Sequence, residues 1–448
     1  MDENLLYYIW LSSKLYPGSH SPKILLEHYK DIKEVYKASF DDYTELGVSQ
    51  PDARRLADKS LDEARQYFDY CKKDHIGLLT YDSPYYPGRL KVISNPPPLL
   101  YYRGRLEMLD DYPCFAMVGT RSCSESGFRN AYKTAYKAAY CGAVIVNGLA
   151  LGIDGACMTA ALDADGYAVG LLGCGIDRIY PAQNKELFLR LSRQGLILSE
   201  FSPFSRPEGK NFPVRNRVIS GLSVASVIFE ADAHSGAMIT AEHTLEQGRK
   251  LYAMPGNVGN RLYEGPLELI KSGSEIITDA DDILTEYALM FPHRISTEGF
   301  VEVPPEKVEE AVKEAFSVNR MMTSSQKGDK TLPKPKKASG PKEQAKKKAK
   351  TEKAPTALQK SEPVKPEKDK DTALEPEFSK ASDAKLTDLS VLSASEKLIL
   401  SFFDHKDAMT LDEIVAKGVK VDDALSSLTL LEVYGFLRAL PGGRYEKC

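Results

Sequence analysis

The sequence predicts an α/β fold built on a doubly wound, mostly parallel sheet, with a small helical region before it and a further small domain after it. Three observations carry this. From about residue 76 to 290 the pattern strand, turn, helix repeats. The strands read as nearly continuous Val/Ile/Leu/Ala runs, as expected when both faces of a sheet are covered. The turns between them are rich in glycine and polar residues, the composition of a ligand-facing sheet edge.

Taken in order, residues 1–75 form short helices, with Leu5, Ile9, Leu11 and Leu15 marking the first. They read either as a SAM-like or helix-hairpin-helix module or as a helical cap on the next domain. CFAMVGT (114–120) is a strand running into a glycine turn, and SGFRNAYKTAYKAAYCG (126–142) is a helix ending at a C-cap glycine. AVIVNGLA (143–150), YAVGLLGCG (167–175), GLILSEF, ASVIFEAD and KLYAMPG are further strands. GIDGACMTAALDADG, NKELFLRLSRQG, the stretch around 214–222, MITAEHTLEQG and PLELIKSG are the helices between and after them.

Residues 291–389 read as a mostly disordered linker. Within it, 323–386 hold 17 Lys against 10 acidic residues, with many Pro, Ala and Ser. That composition lacks the apolar groups needed to offset the entropy of ordering. The local charge of +7 leaves the rest of the chain, within an overall −4, at −11. Residues 390–448 regain structure: three helical stretches and a hairpin around Pro441-Gly442-Gly443 give a winged-helix pattern. Its would-be recognition helix opens with Asp422 and Asp423 and carries almost no Lys or Arg, which points to a protein-binding or regulatory role over duplex reading.

Composition narrows the function classes. The seven cysteines form no CxxC pair and no Cys/His cluster at zinc spacing, as expected of reduced thiols in a cytoplasmic protein. No apolar run is long enough to span a bilayer, so no membrane partner is expected. There is no Walker A, HExxH or GxSxG sequence. GCGIDR has Arg178 where the third glycine of a dinucleotide fingerprint belongs. No cofactor, metal or catalytic residue is expected. Asp154 reads as a helix cap and His234 as a hydrogen-bonding turn residue.

Five segments gather at the ligand edge: VGTRSCSESG (118–127), NGLALGIDG (147–155), GCGIDRIYPAQN (173–184), GKNFPVRNRVISGLS (209–223) and ADAHSGAMIT (231–240). In the fourth, Lys210, Arg215 and Arg217 suit successive phosphates, Asn211 and Asn216 suit sugar or base edges, and Phe212 offers a face on which a base stacks. Arg121 follows the first turn as a cation at the ligand edge. Cation, aromatic and cation together fit a single strand of nucleic acid better than a mononucleotide. A second reading stays open: Phe212 packs inward and the arginines pair with acids such as Glu200 or Glu230.

The motifs MVGTRSCSESG, VNGLALGIDGACMTAAL, GLLGCGIDRIYPAQN, LILSEFSPFSRPEGKNFPVRNRVISGLS, SGAMITAEHTLEQGRKLYAMPG and GSEIITDADDIL resemble the DprA/Smf DNA-processing family. The resemblance runs over roughly 76–285; the Lys-rich linker departs from it. It implies an extended Rossmann-like domain that binds single-stranded DNA without a dinucleotide. It also implies a homodimer that protects incoming strands during natural transformation and loads the RecA recombinase onto them by direct contact. Carried over by motif, the DNA site involves Gly119, Thr120, Arg121 and Ser122, then Lys210, Asn211, Phe212, Arg215, Asn216 and Arg217. Gly148, Gly152, Gly173, Gly175, Ser235 and Gly236 shape its pocket, and Leu267–Ile270 is a candidate dimer or RecA surface. The competing enzyme reading is a nucleotide-binding hydrolase of the lysine-decarboxylase-like type. It would need a PGGxGTxxE signature, which PGNVGNRLYEG (255–265) only approaches.

Overall fold

Residue alternation decides how the sheet is buried. In β3 (Cys114–Val118) and β4 (Val144–Asn147), Phe115, Met117 and Ile145 point to one apolar core, while Cys114, Ala116, Val118, Val144 and Val146 point to the other. Both faces of the sheet are therefore covered, as the continuous apolar runs predict. The computed structural model describes residues 3–296, 303–325 and, between 394 and 447, all but 404–407, 418, 420–423, 425–426, 429–430, 432–435 and 441–443.

Ahead of the sheet lie helices α1 (Glu3–Lys14), α2 (Ser21–Tyr29), α3 (Ile32–Lys37), α4 (Phe40–Glu45), α5 (Gln50–Ala57) and α6 (Asp62–Lys73). Side-chain caps start three of them: Asp31 on α3, a Ser39/Asp42 capping box on α4 and Ser49 on α5. Trp10, Tyr43, Leu25 and Leu56 are fully buried, in the same cluster as Phe115, Met117 and Ile145 of the sheet. The helices thus share one apolar core with a sheet face.

The remaining strands are β1 (Gly77–Thr80), β2 (Leu99–Gly104), β5 (Ala168–Leu172), β6 (Leu196–Ser199), β7 (Ala225–Ile228), β8 (Lys250–Ala253) and β9 (Glu275–Ile276). Their order is β1-β2-β6-β5-β4-β3-β7-β8-β9. β1–β2 and β2–β6 pair antiparallel, and every other pair is parallel. The antiparallel edge does not follow from the repeating strand–helix pattern. The chain reverses its winding at β3, which has β4 on one side and β7 on the other. Ligand sites in such sheets open beyond the carboxyl ends of the strands at that reversal.

Helices α7 (Gly88–Lys91), α8 (Glu125–Tyr140), α9 (Ile153–Asp163), α10 (Lys185–Gln194), α11 (Asn211–Leu222), α12 (Gly236–Glu246), α13 (Glu264–Lys271) and α14 (Asp281–Ala288) complete the sandwich. α11 begins three residues earlier than the sequence pattern suggests, a difference that decides the site. A further helix, α15 (Pro305–Ser325), stands where the linker is expected to have begun. Val308, Ala311 and Val312 are buried in the sheet-face core, and Arg129 of α8 grips Glu309 with both guanidinium nitrogens. The Lys-rich core of the linker lies outside the described residues.

The carboxyl-terminal unit is a separate body. α16 (Ala394–Phe402), β10 (Ala408–Thr410), α17 (Leu411–Val415), β11 (Leu437–Leu440) and β12 (Arg444–Lys447) surround a core of Ile399, Met409, Ile414 and Leu437, among others. β11 and β12 form the expected antiparallel hairpin, joined on its other side by β10. The stretch expected to be the recognition helix lies largely outside the described residues, Asp422 and Asp423 included.

Candidate nucleic-acid interface

The loop after β3 ends the first strand of the parallel set, and its backbone is locked to its neighbours. The Thr120 N–H donates to the Glu230 carbonyl at 2.6 Å, and Ile153 N–H donates to the Thr120 carbonyl at 3.2 Å. Gly152 sits in this lock at φ +74, and a Cβ there would come within 2.4 Å of the Thr120 oxygen. Gly119 and Thr120 are half-buried, while Arg121 and Ser122 are exposed. Arg121 makes no ion pair among the described residues. Its guanidinium lies over the Phe212 ring, 5.3 Å from the centroid.

Phe212 is half-buried at the start of α11. Tyr180 lies beside it, centroids 5.4 Å apart and rings tilted by 31°, and Gly173 lies against its edge. Arg215 approaches from within the protein at 5.9 Å. The result is an aromatic pair with one free cation over it, at the mouth of the sheet's winding reversal. Tyr180 is the contributor that sequence reasoning missed; its only signal is an aromatic in the glycine-rich loop at 173–184.

The rest of the stretch turns inward: at four positions expected to meet phosphates or bases, the polar groups bond within the protein. Arg215 is buried and donates to the carbonyls of Gly148 (2.9 Å) and Leu171, with its Nε on the Asn216 side-chain oxygen at 3.1 Å. A Cβ on Gly148 would fall 2.3 Å from the guanidinium, so glycine there makes room for the arginine. Burial brings Arg215 down to about 10, against the pull of Asp154. Arg217, 3% exposed, is paired at 2.7 Å with Glu200, itself 6% exposed. Asn211 donates to the Gly173 and Arg206 carbonyls, both at 3.1 Å, and Asn216 donates to the Gly236 carbonyl at 3.0 Å. Starting α11 at Asn211 places 211 and 215 one turn apart on one face, and Asn216 and Arg217 are buried too because the helix packs into the domain nearly all round.

Lys210, just before the helix, stays outside. It is exposed, 3.1 Å from Glu208 and 5.7 Å from the Tyr16 ring centroid. Glu230 pairs with none of these arginines. It accepts from the Ser124 N–H (2.8 Å) and hydroxyl (2.5 Å) at the amino end of α8, where a carboxylate suits the helix dipole.

Among the pocket-shaping residues, Gly175 donates its N–H to the Ser205 carbonyl at 3.0 Å. Ser235 stands at the N-cap position of α12 without a side-chain capping bond, and its buried hydroxyl has no protein partner among the described residues. Gly236 follows in open surroundings. Asp154 is buried and accepts from Gly148 N–H at 3.0 Å, so it braces the preceding loop. Burial raises its carboxyl pKa, with Arg215 the leading opposing influence. His234 is exposed, its N–H donating to Asp232 at 3.1 Å. In α13, Leu269 is buried, and Leu267 and Ile270 are half-buried. Among the described residues no group of acidic, His and Cys side chains is arranged to hold a metal, and no helix is long and apolar enough to cross a membrane.

The family described as DNA recombination-mediator protein A matches residues 77–288. The chain is 39% identical over 202 residues to the DNA processing protein DprA of Streptococcus pneumoniae, covering 45% of this chain and 71% of that protein. It is 35% identical over 215 residues to DprA of Bacillus subtilis (48% and 72%). It is also 35% identical over 270 residues to protein Smf of Synechocystis (58% and 67%). The X-ray structure of DNA processing protein A from S. pneumoniae superposes with a TM-score of 0.56 at 31% identity, covering 63% of this chain and 97% of that one.

Proposed function

Because this chain belongs to the DNA recombination-mediator protein A family, we propose that it binds single-stranded DNA at the Arg121–Phe212 surface. On this reading it protects incoming strands during natural transformation and hands them to RecA in the cytoplasm. It works as a homodimer and a binding protein, with no bond made or broken. The observation that carries the reading is the exposed Arg121 guanidinium lying over a half-buried Phe212. A cation beside an accessible ring holds a phosphate and a stacked base together, and any base will serve because each has a π-face. The half-exposed faces of Leu267 and Ile270 on α13 are proposed for the dimer or RecA contact, and a winged helix for residues 390–448.

The test is fluorescence anisotropy with labelled oligo-dT, competed by duplex DNA, ATP and NAD. Tight binding that these competitors barely displace is the expected result. Displacement by a nucleotide alone would return the site to small-molecule chemistry. In the same assay Phe212→Ala weakens binding by roughly 1–3 kcal/mol, the worth of one stacked base. Its salt slope stays that of the unsubstituted protein, because no charge is lost; a shallower slope would mean the ring acts by holding Arg121 in place.

A further inference from the structure

Beside the Phe212 surface, on the other side of Arg121, a cavity of about 460 Å³ opens between the loop after β3, α9, the 173–184 loop and α15. Arg121, Gly155, Thr159, Gln183, Leu187 and Phe316 are among its walls. Its size lies within the range of small-ligand sites, and its walls mix apolar groups with polar and charged ones, the carboxylates Glu186 and Glu314 among them beside the cations Arg121 and Arg190. We propose that this cavity takes one base of the bound strand, the neighbour of the base stacked on Phe212. The inference rests on the single-strand reading of that surface and adds a second base site to it.

Three features point there. First, Arg121 belongs to both places: it lines the cavity and lies 5.3 Å from the Phe212 centroid. One phosphate links neighbouring bases, so a cation standing between two base sites meets that phosphate. Second, the outer wall is fixed. Phe316 packs edge-on against Phe128 (5.7 Å, 75°), Lys307 donates to the Asp163 carbonyl at 2.7 Å, and Arg129 holds Glu309. Third, the floor is open without a packing reason. Gly155 lies within α9, where glycine is the weaker helix former. A Cβ there would meet nothing nearer than the Ala150 carbonyl at 3.4 Å and the Asn184 amide at 3.9 Å. Space that neighbouring atoms would tolerate filling is left empty. Thr159, one turn on, and Gln183 supply a hydroxyl and an amide for a base edge, and Leu187 and Phe316 supply apolar contact. α15 lies beyond the span 77–288 matched by the family.

The experiment uses the full chain with a short labelled oligo-dT. Gly155→Leu fills the cavity from its floor and Ala315→Leu from its wall. Each is expected to lower affinity roughly tenfold, the loss of about one stacked base, with an unchanged melting temperature. If the unsubstituted protein binds and both folded variants bind equally well, the cavity proposal is overturned while the Phe212 surface stands. If the unsubstituted protein does not bind the oligonucleotide, both readings fall. A second measurement needs no variant. A 2-aminopurine base is moved through the oligonucleotide, and its emission is quenched with iodide. The proposal expects a strongly shielded position next to the stacked one; equal access of iodide at every position would overturn it.

Discussion

Arg215→Ala is expected to destabilise the domain by about 3–5 kcal/mol, the range for removing one partner from a buried charge arrangement. The side chain is buried, its guanidinium satisfies the carbonyls of Gly148 and Leu171, and it is the chief cationic influence on the buried Asp154. Truncation leaves those carbonyls unpaired and the carboxylate without its chief cationic partner, with backbone N–H groups such as that of Gly148 its remaining support. Urea or thermal unfolding reads the loss directly. The pH dependence has a definite sign. Burial lifts the Asp154 carboxyl above its ordinary value, so protonation favours the folded state, and the variant's deficit shrinks as pH falls through the raised value. A variant with full stability but lost DNA affinity would return Arg215 to the ligand surface.

Arg121→Ala should do the opposite: leave unfolding unchanged and lower single-strand affinity by about ten- to a hundredfold, the worth of a hydrogen bond to a charged group. The side chain is exposed and has no ion pair among the described residues, so the fold loses little with it. Its positive charge is the term that responds to salt. The slope of log affinity against log salt concentration should therefore fall by about one phosphate contact. Lys210→Ala should follow in the same direction with a smaller effect, because Glu208 already shares its charge at 3.1 Å. An unaltered slope in Arg121→Ala would remove the phosphate role from this residue.

The two substitutions mark where the sequence is informative and where it stops. The strands of the parallel set were legible because burial on both faces forces continuous apolar runs, and the glycine turns marked the carboxyl edge. Arg121 was legible for the same reason, standing just beyond a strand at that edge. Arg215 and Arg217 were not. A buried arginine and an exposed one have the same letter, and the partners that turn these two inward lie far away in the chain: Gly148, Leu171 and Glu200. Starting α11 three residues early places these expected phosphate ligands in a helix that is buried nearly all round. The pairing of Arg217 with Glu200 was among the readings left open; the capping of α8 by Glu230 was not. α15 was hidden by its setting, since its Glu- and Lys-rich turns blend into the Lys-rich segment that follows, and only its contacts with α8 and α9 distinguish it. The antiparallel edge of β1 and β2 carried no periodic signal that separated it from the parallel strands.

The core shared by the amino-terminal helices and the sheet has a consequence for how the protein comes apart. Trp10, Leu25, Tyr43 and Leu56 sit in one apolar mass with Phe115, Met117 and Ile145. A chain begun at residue 77, where the family match starts, would carry one sheet face stripped of part of its cover. Such a fragment tends to aggregate, because apolar surface meant for the interior meets water. The helices and the sheet therefore bury one another's apolar surface, and truncation at residue 77 should lower the melting temperature of the domain that remains.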